Sequence, residues 1–276
     1  SYFNTLTDLH DQVNNASMEI IKTYFENIAA YENGEGSDPS LAKVEGKTCF
    51  LIRHKDLPQK GTAITLVDQK RVLKVSPNWT DAFFSAFELQ EVEALFRNEK
   101  RKREWLLGRL AAKEAVLALL SDSDPDMDLD YADVDILTSD LGPPRVEVKG
   151  ALASPLVSIA HSGDTACAVA VMPGRKTRPG IDIEPLGQVD DGMGELVLSR
   201  QERESVEACF DPDLAFLSLW TAKEAAYKAF GGDGIRQFQA EPNQSLMGEI
   251  SLLSGENRIK VLSLQVFDHI LAVVLS

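Results

Sequence analysis

The chain has 276 residues, 44% of them hydrophobic, which is enough apolar material for one large domain or two modest ones. Its 28 Lys and Arg residues stand against 43 Asp and Glu residues, and the net charge of −15 argues against a general nucleic-acid-binding protein, which needs a basic face. This charge still permits a phosphate-bearing ligand in a locally basic or metal-filled cleft.

The cysteines and the apolar runs bear on location. Cys49, Cys167 and Cys209 are widely spaced and form no CxxC motif, so we expect neither a disulfide framework nor a structural zinc site. No apolar run approaches the roughly 18 residues of a membrane span, and the N-terminus has no signal-peptide pattern. We therefore expect a cytoplasmic protein with no membrane partner.

The first part of the chain predicts a leader helix followed by mixed strands and helices. Helical periodicity covers residues 5–31, within an N-terminal leader of residues 1–45. Strands are predicted at residues 48–52, 63–67 and 71–75. Residues from about 82 to 120 favour helix, with a basic segment at 97–103 before a strong helix at 105–120.

The second part predicts strands first and then helices. Strands at residues 156–160 and 166–172 flank a turn at 161–164, and proline ends a short strand at 181–185. Helix is predicted near Ser199 and at 214–230, and a hairpin at 259–266 and 270–275. Ala112-Lys113-Glu114-Ala115 recurs as Ala222-Lys223-Glu224-Ala225, which indicates either two related α+β halves, at 46–175 and 176–276, or a coincidence.

Three segments could carry chemistry. Asp182 and Glu184 alternate on a strand, so they share a face as a pair of magnesium ligands or as an ordinary wet surface. Glu224 and Lys228 are i, i+4 neighbours, either a surface pair or partners of a ligand. The surrounding helix is mostly apolar, so its charged side chains, Lys223 included, need partners. His161 follows a strand, where it is either a ligand residue or structural.

The three segments occur in a recognisable order. Ser-Ile-Ala-His-Ser, then Gly-Ile-Asp-Ile-Glu-Pro, then Leu-Trp-Thr-Ala-Lys-Glu-Ala-Ala-Tyr-Lys together resemble the signature of 4′-phosphopantetheinyl transferases over roughly residues 85–276. The chain looks more similar to the long, surfactin-type class than to the short trimeric holo-acyl-carrier-protein synthases. The resemblance implies an α+β fold of two similar halves related by pseudo-twofold symmetry, with Mg²⁺ and coenzyme A in the cleft between them.

The resemblance also implies roles for individual residues. Asp182, Glu184 and Glu224 match the magnesium ligands, and Glu224 and Lys228 the catalytic groups. The residues that match coenzyme A contacts are Arg103, Lys113, Arg145, His161, Ser162, Lys223 and Lys228. Two positions depart from the family pattern: Ala160 stands where many relatives have Ser, and Arg145 stands near the place of a frequent lysine.

The implied reaction moves 4′-phosphopantetheine from coenzyme A to a serine of an apo acyl or peptidyl carrier protein, releasing adenosine 3′,5′-bisphosphate. Glu224 would accept the serine proton directly or through a metal-bound water. A Mg²⁺-dependent phosphohydrolase or nucleotidyl transferase and a non-catalytic acidic interaction module are the alternatives. The missing initiator Met and the leader helix suggest an integrated domain of a polyketide or fatty-acid megasynthase, and two halves in one chain suggest a monomer.

Overall fold

A computed structural model describes residues 49–52, 62–75, 78–124, 126–139, 142–151, 153–174, 178–187, 189 and 192–274. The predicted leader helix at residues 5–31 lies outside this part of the chain.

The first half of the chain, up to residue 175, contains six strands and four α-helices among the described residues. In chain order they are β1 (Cys49–Ile52), β2 (Thr62–Asp68), α1 (Gln69–Val75), α2 (Trp79–Phe83), α3 (Ala86–Leu95), α4 (Glu99–Ser123), β3 (Val134–Leu137), β4 (Arg145–Val148), β5 (Leu156–Ser162) and β6 (Thr165–Val171). The second half contains β7 (Gly180–Pro185), α5 (Met193–Val197), α6 (Arg200–Glu207), α7 (Pro212–Phe230), β8 (Gln239–Ala240), β9 (Gly248–Ser254), β10 (Asn257–Val266) and β11 (His269–Val274).

Two antiparallel sheets form the centre of the molecule. The first has the strand order β1-β2-β6-β5, and the second has the order β7-β11-β10-β9-β8. The long helix α4 packs on the first sheet, and the long helix α7 packs on the second. The layers therefore follow the order helix, sheet, sheet, helix, which buries one face of each helix and both faces of each sheet.

Each junction between layers has its own apolar core. Leu107, Leu110 and Ala111 of α4 pack on the first sheet, where Ala166, Ala168 and Ala170 of β6 leave room for the helix. The two sheets meet through branched side chains, among them Val169, Ile183 and Leu271. Leu219, Ala222 and Ala226 of α7 join the core on the far side of the second sheet. Burial of these apolar surfaces supplies the main driving force for this arrangement.

Several predicted elements are confirmed with small shifts of their ends. Strands β2, β5, β6 and β7 and helices α6 and α7 occur where the sequence indicates them, and β10 and β11 form the predicted terminal hairpin. His161 and Ser162 belong to β5 and pair with Ala166 and Thr165 of β6, so the turn itself is shorter than predicted. Gly231 ends α7 with φ of 68°, a left-handed conformation that glycine adopts without strain.

The prediction of a strand at residues 71–75 is wrong, because this segment belongs to α1. The preceding strand β2 already pairs with β1 on one side and β6 on the other. A short run of mixed residues fits helix or strand equally well by pattern, and here a helix of about two turns buries Val72 in the core.

The long helical region at 82–120 is divided into separate helices. Ser85 begins α3 with a capping box, in which its side chain accepts a hydrogen bond from the Glu88 amide and Glu88 accepts one from the Ser85 amide. Asn98 caps α4 by accepting hydrogen bonds from the amides of Lys100 and Arg101. The basic segment therefore forms the first turns of α4 instead of preceding it.

Within the described ranges, no helix is both long enough and apolar enough to cross a membrane. The small hairpin of β3 and β4 is an element that the sequence did not predict.

Candidate active site

Strand β7 and helix α7 lie unusually close together. A Cβ atom added at Gly180 would lie 2.0 Å from the carbonyl oxygen of Ala225 and 3.0 Å from Cβ of Ala229. Only glycine therefore fits at this point of β7. The close approach brings the acidic residues of the strand against the charged face of the helix.

Four side chains from these two elements meet at one place. Lys228 Nζ donates a hydrogen bond to Asp182 Oδ1 at 2.7 Å, and it also donates to the carbonyl oxygens of Ile159 and Ile181 at 3.2 Å and 3.1 Å. Trp220 Nε1 donates to Glu184 Oε1 at 3.0 Å. Because Ile159 belongs to β5, Lys228 joins the first sheet to the second sheet and to α7.

Glu224 is the third acid of this cluster. Burial raises the pKa of its carboxyl group, and the charges of Asp182 and Glu184 raise it further. Burial also raises the pKa of Asp182, against the opposing effect of Lys228. The pKa of Glu184 is raised by burial too, with a further increase from Asp182. The three acids are therefore near enough to repel one another, and they concentrate negative charge in a partly buried place.

A cleft of about 550 Å³ opens beside this cluster. Its walls come from both halves of the chain: α4 and β5 from the first, α7 from the second, and the loop before β4. His161 and Lys228 line it together, so the cleft reaches the acidic cluster. His161 lies at an exposed edge, and desolvation lowers the pKa of its imidazole, which favours a neutral ring near pH 7.

Arg109 is the residue in the cleft that the sequence analysis missed. Its guanidinium lies over the ring of Trp105 at 4.4 Å and donates from Nη2 to Thr138 Oγ1 at 3.3 Å, while its buried Nε has no hydrogen-bond partner among the described residues. Burial lowers the pKa of Arg109 to about 10, so it remains charged at neutral pH. The sequence did contain a sign of this residue, because Arg109 lies one turn after Trp105 on a largely apolar helix.

Two lysines do not join the cluster. Lys113 and Lys223 are fully buried, and their ammonium groups lie 2.7 Å from carboxylate oxygens of Glu88 and Glu202, respectively. The resemblance implied that both contact coenzyme A. The structure instead places both lysines in buried ion pairs, and neither lines the cleft. A charge in an apolar core needs such a direct partner.

The other predicted contact residues lie nearer the surface. Arg103 is exposed on α4, and Arg145 is exposed and pairs with Glu147 at 2.9 Å. Ser162 ends β5 next to His161. Ser158 lines the cleft, but its hydroxyl accepts a hydrogen bond from the Ile181 amide and so also joins β5 to β7.

The acidic cluster has the right donor chemistry for a hard divalent cation. Three carboxyl groups lie near enough there to act on one another electrostatically, and Asp182 Oδ2 is buried without a hydrogen-bond partner in the described part of the chain. As the side chains stand, no three Asp, Glu, His or Cys residues among those described are arranged to hold a metal ion. Lys228 provides the positive charge next to Asp182 instead.

One family model matches part of the chain. Residues 178–272 match the family model of the 4′-phosphopantetheinyl transferase superfamily. No curated protein matches the chain.

Two solved structures are similar to parts of the chain. A holo-(acyl-carrier-protein) synthase from Bacillus anthracis, solved in complex with CoA (3′,5′-ADP), is 23% identical, with a TM-score of 0.34; the match covers 41% of this chain and 95% of that one. The holo-[acyl-carrier-protein] synthase of Thermotoga maritima is 22% identical, with a TM-score of 0.33, over 51% of this chain and 75% of that one.

The matched segment begins just before β7 and ends within β11, so it includes Asp182, Glu184, Glu224 and Lys228. The acidic cluster therefore lies within the segment that matches the superfamily model.

Proposed function

We propose that this protein transfers 4′-phosphopantetheine from coenzyme A to a serine of an apo carrier protein and releases adenosine 3′,5′-bisphosphate. The observation that carries the proposal is the contact of Lys228 with Asp182 at the edge of a cleft, with Glu184 and Glu224 within electrostatic range, inside the segment that matches the superfamily. Phosphoryl transfer depends on positioning and on neutralising negative charge, and this place offers both carboxylates for a cation and a fixed ammonium group.

The reaction forms one bond and breaks another. The serine oxygen of the carrier protein bonds to the β-phosphorus of coenzyme A, and the bond from that phosphorus to the leaving adenosine bisphosphate breaks. Glu224 accepts the serine proton, because the raised pKa of its carboxyl group makes it a stronger base than an exposed glutamate. Lys228 lines the cleft and supplies a fixed positive charge for the phosphoryl oxygens of the substrate.

A magnesium ion held by Asp182, Glu184 and Glu224 would neutralise the pyrophosphate charge when bound. Asp182 Oδ2 lacks a hydrogen-bond partner among the described residues, and Trp220 leaves the second oxygen of Glu184 available. Trp220 therefore orients the Glu184 carboxylate, and Lys228 orients that of Asp182.

The cleft suits coenzyme A because it combines aromatic and charged groups. Trp105 and Tyr227 provide ring surfaces, and Pro143 and Pro144 provide an apolar wall. Arg109 and His161 can donate hydrogen bonds to phosphate oxygens. We assign Arg109 to the nucleotide end of the substrate, in place of Lys113, which the resemblance gave as a coenzyme A contact.

We also infer that the chain is of the surfactin-type class, with two similar halves. In support, each half has a long helix packed on an antiparallel sheet, and the two sheets pack against each other within one chain. The two long helices also carry the same buried lysine–glutamate pair.

The test is incubation of the protein with apo carrier protein, coenzyme A and Mg²⁺, followed by mass spectrometry of the carrier protein. We expect the mass of the phosphopantetheine adduct. Asp182→Asn and Glu224→Gln should each reduce the rate by about a thousandfold, since each removes a charge from the phosphoryl-transfer site. Omitting Mg²⁺ and adding a chelator should have a similar effect.

Other outcomes would point to the alternatives. Steady release of phosphate from a nucleotide without carrier protein would favour the phosphohydrolase. Absence of coenzyme A binding would favour the interaction module. Full activity of both carboxamide variants would refute the site.

A further inference from the structure

The two halves share a buried ion pair in nearly the same surroundings. In the first half, Lys113 Nζ lies 2.7 Å from Glu88 Oε2 and donates to the carbonyl oxygen of Phe83 at 3.2 Å. The carboxylate of Glu88 also accepts the amide hydrogen of Ser85, the first residue of a capping box. Lys113 is thereby fixed to the start of α3.

The second half repeats this arrangement. Lys223 Nζ lies 2.7 Å from Glu202 Oε2 and donates to the carbonyl oxygen of Val197 at 3.2 Å. Glu202 accepts the amide hydrogen of Ser199 in a capping box, and its other oxygen accepts that of Ala240. Lys223 thereby fixes α7 to α5, α6 and β8 at once.

The position of Lys223 on α7 connects this pair with the acidic cluster. Glu224 follows Lys223 directly, so their side chains leave the helix about 100° apart. Trp220, Glu224 and Lys228 repeat at intervals of four and so occupy one stripe, toward β7. Fixing Lys223 on one side of α7 therefore sets the rotation of the helix and the direction of the stripe.

We propose that the Lys223–Glu202 ion pair is a positioning device that sets the rotation of α7 and so aims Glu224 at the cluster. In the same way, the Lys113–Glu88 pair sets α4, which carries Trp105 and Arg109 into the cleft. This inference rests on the proposed function. It assigns the two lysines to positioning and not to contact with the substrate.

A small rotation of α7 about its axis would displace Glu224 enough to change the reaction rate. A rotation of about 10° displaces an atom at the outer radius of a helix, about 6 Å, by about 1 Å. A misplacement of about 1 Å can reduce the rate about a hundredfold. The two pairs act on different helices, so they predict different kinetic effects: loss of the second pair lowers kcat, and loss of the first raises the KM for coenzyme A.

The experiment compares Lys223→Met with its matched control Lys113→Met. Removing one partner leaves a buried charge unpaired and can prevent folding, so the double variants Lys223→Met/Glu202→Gln and Lys113→Met/Glu88→Gln are made as well. Circular dichroism checks folding. Two readouts follow: kcat and the KM for coenzyme A, and the indole N–H signal of Trp220 in a ¹⁵N–¹H spectrum, identified by its loss in Trp220→Phe.

We expect the second-half variants to shift the Trp220 signal and to lower kcat about tenfold or more, with the KM for coenzyme A changed less than about threefold. The first-half variants should leave the Trp220 signal in place and raise the KM for coenzyme A about tenfold. A folded Lys223→Met/Glu202→Gln variant with an unshifted signal and a kcat within twofold of the unaltered protein would overturn the proposal.

Two further outcomes are distinguishable. Equal shifts of the Trp220 signal in both pairs of variants would indicate general loosening of the fold and would also overturn the proposal. If the unaltered protein transfers no phosphopantetheine, the proposed function fails, and the Trp220 signal alone then decides whether Lys223 positions α7.

Discussion

Burial raises the pKa values of Asp182, Glu184 and Glu224, and the charge of Asp182 raises those of Glu184 and Glu224 further. The ionised carboxylates therefore reduce the stability of the folded protein when no cation is bound. A carboxyl group whose pKa is higher in the folded state than in the unfolded state binds its proton more tightly when folded. Its contribution to stability is therefore complete below the unfolded pKa, about 4.3 for glutamate, and is lost as the pH rises through the folded pKa. At neutral pH the ionised cluster therefore lowers the free energy of unfolding, and packing elsewhere in the fold compensates for this loss.

This sign predicts the effect of Glu224→Gln on stability. In the presence of a chelator at pH 7, the variant should unfold at a higher temperature than the unaltered protein, because glutamine removes one of three repelling charges. The difference should shrink toward pH 4, where Glu224 takes up a proton. Differential scanning calorimetry at both pH values measures this difference in unfolding temperature.

Glu256→Gln, on an exposed turn, is the control and should change the unfolding temperature little at either pH. A lower unfolding temperature for Glu224→Gln at pH 7 would contradict the electrostatic argument.

Arg109 predicts a separate effect on substrate binding. Arg109→Gln removes a charged hydrogen-bond donor, worth about 1.5–3 kcal/mol, from the wall of the cleft. The KM for coenzyme A should therefore rise about tenfold or more, with a smaller change in the KM for the carrier protein. Arg103→Gln, on an exposed position of the same helix, is the control. A larger effect from Arg103 than from Arg109 would instead assign the contact to Arg103, which the resemblance also gave as a coenzyme A contact.

At the scale of elements, the contact between β7 and α7 depends on a single missing side chain. Gly180→Ala would place a Cβ atom 2.0 Å from a backbone oxygen of α7, and the helix must move to admit it. Overpacking of this kind costs about 1–3 kcal/mol or more. Because the helix carries Glu224 and Lys228, the transfer rate should fall together with the free energy of unfolding, as denaturant unfolding and the carrier-protein assay would show.

Gly187→Ala is the matched control for this substitution. An added Cβ at Gly187 meets no atom of the described residues within 4 Å, and this position does not have a positive φ. Stability should therefore stay within about 1 kcal/mol of the unaltered protein. If Gly180→Ala were equally harmless, the close approach of strand and helix would not be what holds the cluster together.

The sequence predicted β7 and α7 because their signals are local. Alternation of Ile181, Asp182, Ile183 and Glu184 indicates a strand, and Gly231 marks the end of the helix. The partners of Lys113 and Lys223 could not be found in this way, since Glu88 and Glu202 lie 25 and 21 residues distant in the chain. Which lysine of α7 faces the cleft depends on packing, so the resemblance gave both Lys223 and Lys228 as coenzyme A contacts although only Lys228 lines the cleft.

At the scale of the whole molecule, the cleft exists only where the two halves meet. Arg109 and His161 come from the first half, and Tyr227 and Lys228 come from the second. The hydrogen bond from the Ile181 amide to Ser158 and those from Lys228 hold β5 and β7 together at this junction. The magnesium dependence, the cytoplasmic location and the monomeric state remain predictions from the sequence.

The apolar contact between the two sheets also bears on whether the second half could fold without the first. A fragment limited to residues 178–274 would keep all three acids and Lys228, yet Ile183, Leu264 and Leu271 would lose the covering that the first sheet provides. Water contact with that face is unfavourable, so such a fragment would gain stability by joining a second copy of itself face to face. A chain that carries both sheets covers this apolar face without a second copy. The two walls of the cleft then have different sequences, and only the wall from the first half contains Arg109.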